Sequence, residues 1–237
     1  MKYLLEARSL VAGYGELTIL NGCDITVEPG SISVIVGANG AGKSTAMKAV
    51  FGLLEVRQGS VKFEDQDVTG CTPQRLVELG MGYVPQVANV FPSLSVEENL
   101  EMGAYLAASL TEEGLDRVYS IFPILKDKRK QAAGQLSGGQ RQMVAVGRAM
   151  MMKPRLLMLD EPTAGVSPKV MGDIFEIILK VNESSVGVLM VEQNARQALA
   201  IADTGFVLQT GQNLYTDTGE ALLANPEVAR SFLGGKH

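Results

Sequence analysis

The stretch "GANGAGKST", residues 37–45, constrains what this chain can fold into more than any other. It fits G-x-x-x-x-G-K-[ST] in full, with the β-branched run "SISVIVG" leading in and "STAMKAVFGLL" leading out as a helix. A buried strand must therefore enter a glycine loop, and a helix must leave it. In the loop Gly37, Asn39, Gly40 and Gly42, the glycines let the backbone wrap close to phosphate oxygens with several N–H groups pointing inward. The following helix adds its positive end. Lys43 can reach between a β- and a γ-phosphate, and Ser44 offers a hydroxyl to Mg²⁺. Thr45 reads equally as a ligand to the α-phosphate or as a cap on the helix.

The second feature is "LLMLDEP". Apolar residues form a central strand, and Asp160 at its end can hold Mg²⁺ directly or through water. Alone, Asp160 and Glu161 would read as salt-bridged carboxylates at a strand end. Beside a phosphate loop, Glu161 instead falls near the γ-phosphate, where a carboxylate can orient and deprotonate an attacking water. No signature of an acceptor pocket accompanies the motifs, which argues against a small-molecule phosphotransferase. No NKxD-type guanine reader is present, so ATP is favoured over GTP.

Strand-like and helical segments alternate along the chain, which indicates an α/β core with parallel pairing. "FVLQTGQNLY" reads as a hairpin turning at Gly211, and "GEALLANPEVARSFLGG" as closing helices. Residues 86–150 differ in texture and read as a helical lobe set between 1–85 and 151–237 of one domain. With 46% hydrophobic residues in 237, a core plus a small lobe can be buried. A net charge of -5 argues against a protein held to nucleic acid by its overall field. Cys23 and Cys71 belong to no CxxC pair, the pattern of reduced, cytosolic use. The only histidine is His237, so histidine chemistry within the body of the fold is excluded. The opening "MKYLLEARSLVAGYGE" lacks the apolar stretch of a secretion signal, and no uncharged run approaches the length of a membrane span.

"LSGGQRQ", residues 136–142, completes the pattern. Ser137, Gly138, Gly139 and Gln140 stand at the start of the amphipathic stretch "QRQMVAVGRAMM", where a hydroxyl and free N–H groups make either an anion receptor or a simple helix cap. The three motifs, in this order and covering nearly the whole chain, resemble the ATPase domain of ABC proteins. The resemblance implies a P-loop NTPase core with a mainly parallel sheet, an antiparallel β lobe and an inserted helical lobe. It also implies a head-to-tail dimer in which each signature caps the nucleotide held by the other subunit's loop. Tyr14 in "AGYGE" resembles the aromatic that stacks on adenine, with an ordinary strand-edge tyrosine as the alternative. Gln86 in "YVPQ" matches the glutamine expected to touch Mg²⁺ or the attacking water and to sense the transport partner. Many members carry an aspartate at the position of Ser167 and a histidine at that of Gln193. Glutamine cannot carry the histidine's charge, but its amide can donate to a phosphate oxygen.

"GMGYVPQ", "VFPSLSVEENLEMGAY", "VYSIFPIL" and "LMVEQNA" are similar, more narrowly, to the shorter ATPase subunit of branched-chain amino-acid importers, where "VEQN" is usual. This implies two membrane-spanning permease subunits and a paralogous ATPase subunit in a heterodimer, or else a homodimer. It further implies an indirect link to a periplasmic binding protein, no nucleic acid, and a peripheral place on the cytoplasmic face of the inner membrane. Importers of urea, amides or other amino acids are the nearest alternatives, with export and non-transport ABC ATPases behind them. "KDKRK", residues 126–130, is a solvated face or a contact for anionic lipid headgroups.

Overall fold

The computed structural model describes residues 2–87 and 89–232, and His237 lies outside them. The chain opens on two strands, β1 (Leu5–Tyr14) and β2 (Leu17–Val27). Leu5, Ala7, Leu10 and Ala12 all face the core, although Ala7 and Leu10 would fall on opposite faces of a regular strand. A register shift between them, with Ser9 at φ 48°, restores the apolar side.

β3 (Ile32–Gly37) is buried through Val36 and enters the glycine loop, from which α1 (Lys43–Val50) emerges. The helix is shorter than the sequence suggested. Gly52 takes φ 68° in a turn where an added Cβ would lie 2.1 Å from the Cys71 carbonyl oxygen. β4 (Val56–Phe63) and β5 (Gln66–Asp67) join through Glu64 and Asp65, both left-handed. α2 (Pro73–Glu78) is capped by Thr72, whose side chain accepts from the Arg75 N–H. β6 (Met81–Val84) follows, a strand that the sequence reading did not mark.

Helices then dominate: α3 (Val96–Glu101), α4 (Thr111–Ile121), α5 (Pro123–Asp127) and α6 (Gly138–Met150), with short 3₁₀ turns between. "VEENLEMGAYLAA" stays α-helical only to Glu101, then tightens over Met102–Ala104. A Cβ on Gly103 would sit 2.1 Å from the Arg148 carbonyl oxygen, so this turn is pressed against α6. The remainder alternates as β7 (Leu156–Asp160), α7 (Pro168–Glu183), β8 (Gly187–Val191) and α8 (Ala195–Ala200). The hairpin β9 (Thr204–Gln209) and β10 (Gln212–Asp217) turns at Thr210 and Gly211, both at positive φ, before α9 (Gly219–Ala224) and α10 (Pro226–Phe232).

The described strands form two sheets, an antiparallel one ordered β2-β1-β4-β5 and one ordered β10-β9-β3-β8-β7-β6. In the second, β9, β3, β8, β7 and β6 are parallel and only β10 runs against them. The chain is thus an α/β fold with a mainly parallel sheet, an antiparallel β layer and a run of helices between β6 and β7. Ile35 pairs with Val191, Val191 with Asp160, and Leu159 with Val84. The C-terminal ends of β3, β8, β7 and β6 therefore finish together, and the loops that follow share one edge. Both cysteines are free. Burial pushes the Cys23 thiol up to about 12, so it stays neutral and packs as a small apolar group.

Gly147 shows what the helical packing demands. A mid-helix glycine costs about 1 kcal/mol relative to alanine. Yet a Cβ here would come within 2.8 Å of Val118 Cγ1 and 2.9 Å of Leu100 Cδ2. Close approach of α6 to α3 and α4 outweighs propensity. Gly147→Leu is expected to destabilise the protein by about 1–3 kcal/mol through overpacking, read as a lower urea midpoint. An unchanged midpoint would show that the helices can separate freely.

Candidate functional site

The glycine loop opens on a pocket of about 340 Å³ lined by Tyr14, Ile19, Asn39, Gly40, Gly42, Lys43, Ser44, Thr45 and Glu161. Gly40 and Gly42 hold φ 80° and 101°, in the left-handed region that favours glycine. The N–H groups of Asn39, Gly40 and Gly42 donate to no group among the described residues. Gly42 caps α1 without a side-chain hydrogen bond, so the positive helix end also faces the pocket. Thr45 is buried and lines the pocket rather than capping the helix. Lys43 is buried too, with Nζ donating to the carbonyls of Gly37 (3.1 Å) and Ala38 (3.3 Å). Tyr14 stands exposed on the rim, with the Lys48 ammonium 5.9 Å from its ring centroid.

Across the pocket, Ser44 Oγ donates to Asp160 Oδ1 at 2.8 Å, joining the loop to the end of β7. Tyr83 Oη donates to Asp160 Oδ2 at 3.1 Å. Burial and the Asp160 carboxylate push the Tyr83 hydroxyl well above its usual range, so it remains a proton donor. The next residue, Glu161, has φ 47°, a conformation that side-chain-bearing residues rarely adopt and that clusters at functional sites. Its Oε2 accepts from Gln86 Nε2 at 2.8 Å. Sequence motifs 75 residues apart thus meet in one hydrogen bond.

The donor set fits Mg²⁺ held together with nucleotide phosphates. One hydroxyl and one carboxylate lie side by side at the mouth of a loop of unpaired N–H groups. Among the described residues no group of three or more His, Cys, Asp or Glu could hold a metal without such help.

Behind this edge lies a network that the sequence reading missed. Glu192 is 1% exposed and accepts from Thr163 N (3.0 Å), Thr163 Oγ1 (2.8 Å), Gln193 N (3.1 Å) and Asn194 N (3.4 Å). Asn194 Nδ2 also donates to Thr163 Oγ1 at 2.9 Å. Burial raises the Glu192 carboxyl above its usual range, and these hydrogen bonds pull against that. The loop after Glu161 and the loop after β8 are thereby tied through one buried side chain. Gln193 itself is exposed and lines an adjoining hollow of about 240 Å³ with Gly37, Ala38, Asn39, Ser231 and Phe232.

Ser137, Gly138, Gly139 and Gln140 do not line the phosphate-loop pocket. Ser137 caps α6 by accepting from Gln140 N (3.3 Å), and Gln140 Oε1 accepts from Ser137 N (3.2 Å). The N–H groups of Gly138 and Gly139 donate to no group among the described residues and, with the Ser137 hydroxyl proton, stay available to an anion. Ser167 precedes α7 without making a side-chain cap.

These features define a nucleotide-binding ATPase of the phosphate-loop class. The family model described as "ABC transporter" matches residues 20–164. The chain is 42% identical over 223 residues to the high-affinity branched-chain amino acid transport ATP-binding protein BraG of Pseudomonas aeruginosa, covering 94% of this chain and 96% of that one. It is 40% identical to the probable branched-chain amino acid transport ATP-binding protein LivF of Archaeoglobus fulgidus, over 98% of this chain and 99% of that one. Among solved structures, the ADP conformation of an ATP-binding cassette of an ABC transporter superimposes with a TM-score of 0.87 at 29% identity, covering 99% and 100% of the chains. The chain belongs to the ABC transporter ATP-binding family and is an ABC ATPase.

The Glu192 network can be weighed directly. Glu192→Ala orphans buried donors on both loops, each costing roughly 1–3 kcal/mol. A loss of about 3 kcal/mol in unfolding free energy is expected, measured by urea titration without nucleotide. Stability equal to the parent protein would mean that water replaces the carboxylate there.

Proposed function

We propose that the chain is the ATP-hydrolysing subunit that energises import of branched-chain amino acids, working peripherally at the cytoplasmic face of the inner membrane. The observation that carries the reading is the division of phosphate-binding groups. Lys43, Ser44, Asp160 and Glu161 converge around one pocket, while Ser137 presents a second anion receptor outside it. In this reading each half completes the other subunit's site in a head-to-tail dimer, with the paralogous subunit or a second copy. Similarity to BraG and LivF along nearly the whole chain supports the cargo class. Identity to lipopolysaccharide export ATP-binding proteins is lower, at 32% for that of Escherichia coli, which favours import over export.

In this reading the free N–H groups of the loop and Lys43 bind the phosphates, and Tyr14 stacks on adenine. Ser44 and Asp160 hold Mg²⁺, which neutralises phosphate charge. Glu161 accepts the proton of the attacking water, held in place by Gln86. Gln193 donates its amide to the γ-phosphate. Its exposed side chain beside Gly37 and Asn39, making no hydrogen bond with the other described residues, supports that role. Ser137, Gly138, Gly139 and Gln140 cap the partner's nucleotide, and Ser167 meets the partner across the interface. Residues 86–150 form the lobe that reads the permease subunits. Val87, Phe91, Met102 and Tyr105 give it an exposed apolar rim, a surface suited to docking. No described helix is long and apolar enough to cross a membrane, so the permeases would have to supply the spans. The periplasmic binding protein would act only through them.

Lys43→Ala and Ser137→Arg chains should each be inactive alone. Mixed, they should regain ATPase activity, because one site of each mixed dimer has an intact loop facing an intact signature. Failure to regain any activity, with mixed dimers present, would refute the shared site. Glu161→Gln should retain ATP binding and dimerise stably, with turnover reduced on the order of 10²-fold or more, as measured by phosphate release. Near-normal release would move the base elsewhere.

A further inference from the structure

Tyr83 has no part in the scheme above, yet it touches the metal-binding carboxylate. Its hydroxyl donates to Asp160 Oδ2 while Ser44 occupies Oδ1, so the carboxylate has a donor on each oxygen. Rotating it would break one bond or the other. The tyrosine is itself held. Its ring stacks on Phe51 with centroids 4.9 Å apart and planes within 20°. Phe51 is buried and is the C-terminal cap of α1, the helix whose other end carries the phosphate loop. Tyr83 also pairs with Met158 in the sheet, two residues before Asp160 on β7. Backbone pairing, ring stacking and the hydroxyl therefore all fix Tyr83 relative to one carboxylate. Three residues on, Gln86 makes the equivalent bond to Glu161. One short segment from β6 thus supplies a donor to each of two consecutive carboxylates.

We propose that Tyr83 is a positioning residue for Asp160, aiming its carboxylate so that it binds Mg²⁺ with the nucleotide. The inference rests on the reading of Asp160 as a metal holder. Ser44 is needed for the metal as well, so its bond to Asp160 is not a permanent restraint. The Tyr83 hydroxyl, anchored by the stacked ring and the strand pairing, is the restraint that stays. Residues that orient a metal ligand in this way are typically worth 10–100-fold in metal affinity.

The test uses Tyr83→Phe, which keeps the stacked ring and removes only the hydroxyl, alongside Asp160→Asn. A fluorescent ATP analogue is titrated onto the full chain with and without Mg²⁺, and Mn²⁺ bound with a non-hydrolysable ATP analogue is followed by electron paramagnetic resonance. Thermal midpoints are recorded in parallel. Tyr83→Phe should raise the metal concentration at half effect about tenfold, alter the Mn²⁺ spectrum, and leave metal-free nucleotide affinity unchanged, with a lower midpoint from the lost bond to the buried carboxylate. Asp160→Asn should abolish the metal dependence. A normal metal titration for Tyr83→Phe with a shifted one for Asp160→Asn would overturn the proposal and leave the metal reading standing. Normal titrations for both would overturn the metal reading, and the proposal with it. Equal losses of metal-free and metal-dependent affinity in Tyr83→Phe would make Tyr83 a packing residue and also overturn the proposal.

Discussion

Parallel pairing of β3, β8, β7 and β6 is the constraint on which the rest depends. The pairs Ile35 with Val191, Val191 with Asp160 and Leu159 with Val84 bring four strand ends to one line. A slip of one residue would turn every side chain to the other face of a sheet buried on both sides. It would also replace Asp160 with Leu159 opposite Ser44. The apolar run of β7, buried along its length, makes such a slip costly, so core packing and site geometry are specified by the same residues.

Once the strands are in register, each carboxylate at this edge is restrained by a different segment. Asp160 is held from the phosphate loop and from β6, Glu161 by Gln86, and Glu192 by Thr163 and the backbone after β8. Fixed dipoles and charges placed before substrate arrives need little reorganisation when charge develops, which is the main source of electrostatic catalysis. The left-handed backbone of Glu161 is a local cost borne at the same edge. Glu192 couples the loop that leads toward Ser167 to the one that carries Gln193. The two loops thus share one buried joint.

Short-range patterns were the legible part of the fold. The strand-loop-helix of residues 32–50 and the hairpin at Gly211 carry their signals within a few turns of chain. β6 was not legible, because four residues are too few to show a period and the strand exists by pairing with β7. The end of α3 at Glu101 was hidden for a similar reason. What stops it is the approach of Gly103 to the Arg148 carbonyl oxygen, 45 residues away in the sequence and on α6.

The candidate site divides in the same way. By itself the sequence determined which chemical groups exist: a lysine and a serine after a glycine loop, paired carboxylates after an apolar strand, a glutamine rather than a histidine at 193. These are properties of residue type and close spacing, which the chain carries whether folded or not. Only the tertiary structure decided which groups share a hydrogen bond. Tyr83 meets Asp160 across 77 positions, Gln86 meets Glu161 across 75, and Thr163 meets Glu192 across 29. Such bonds depend on strand order and register, which arise when remote apolar segments are buried against one another. No local pattern can encode that, because the energy that sets it belongs to the packed sheet as a whole.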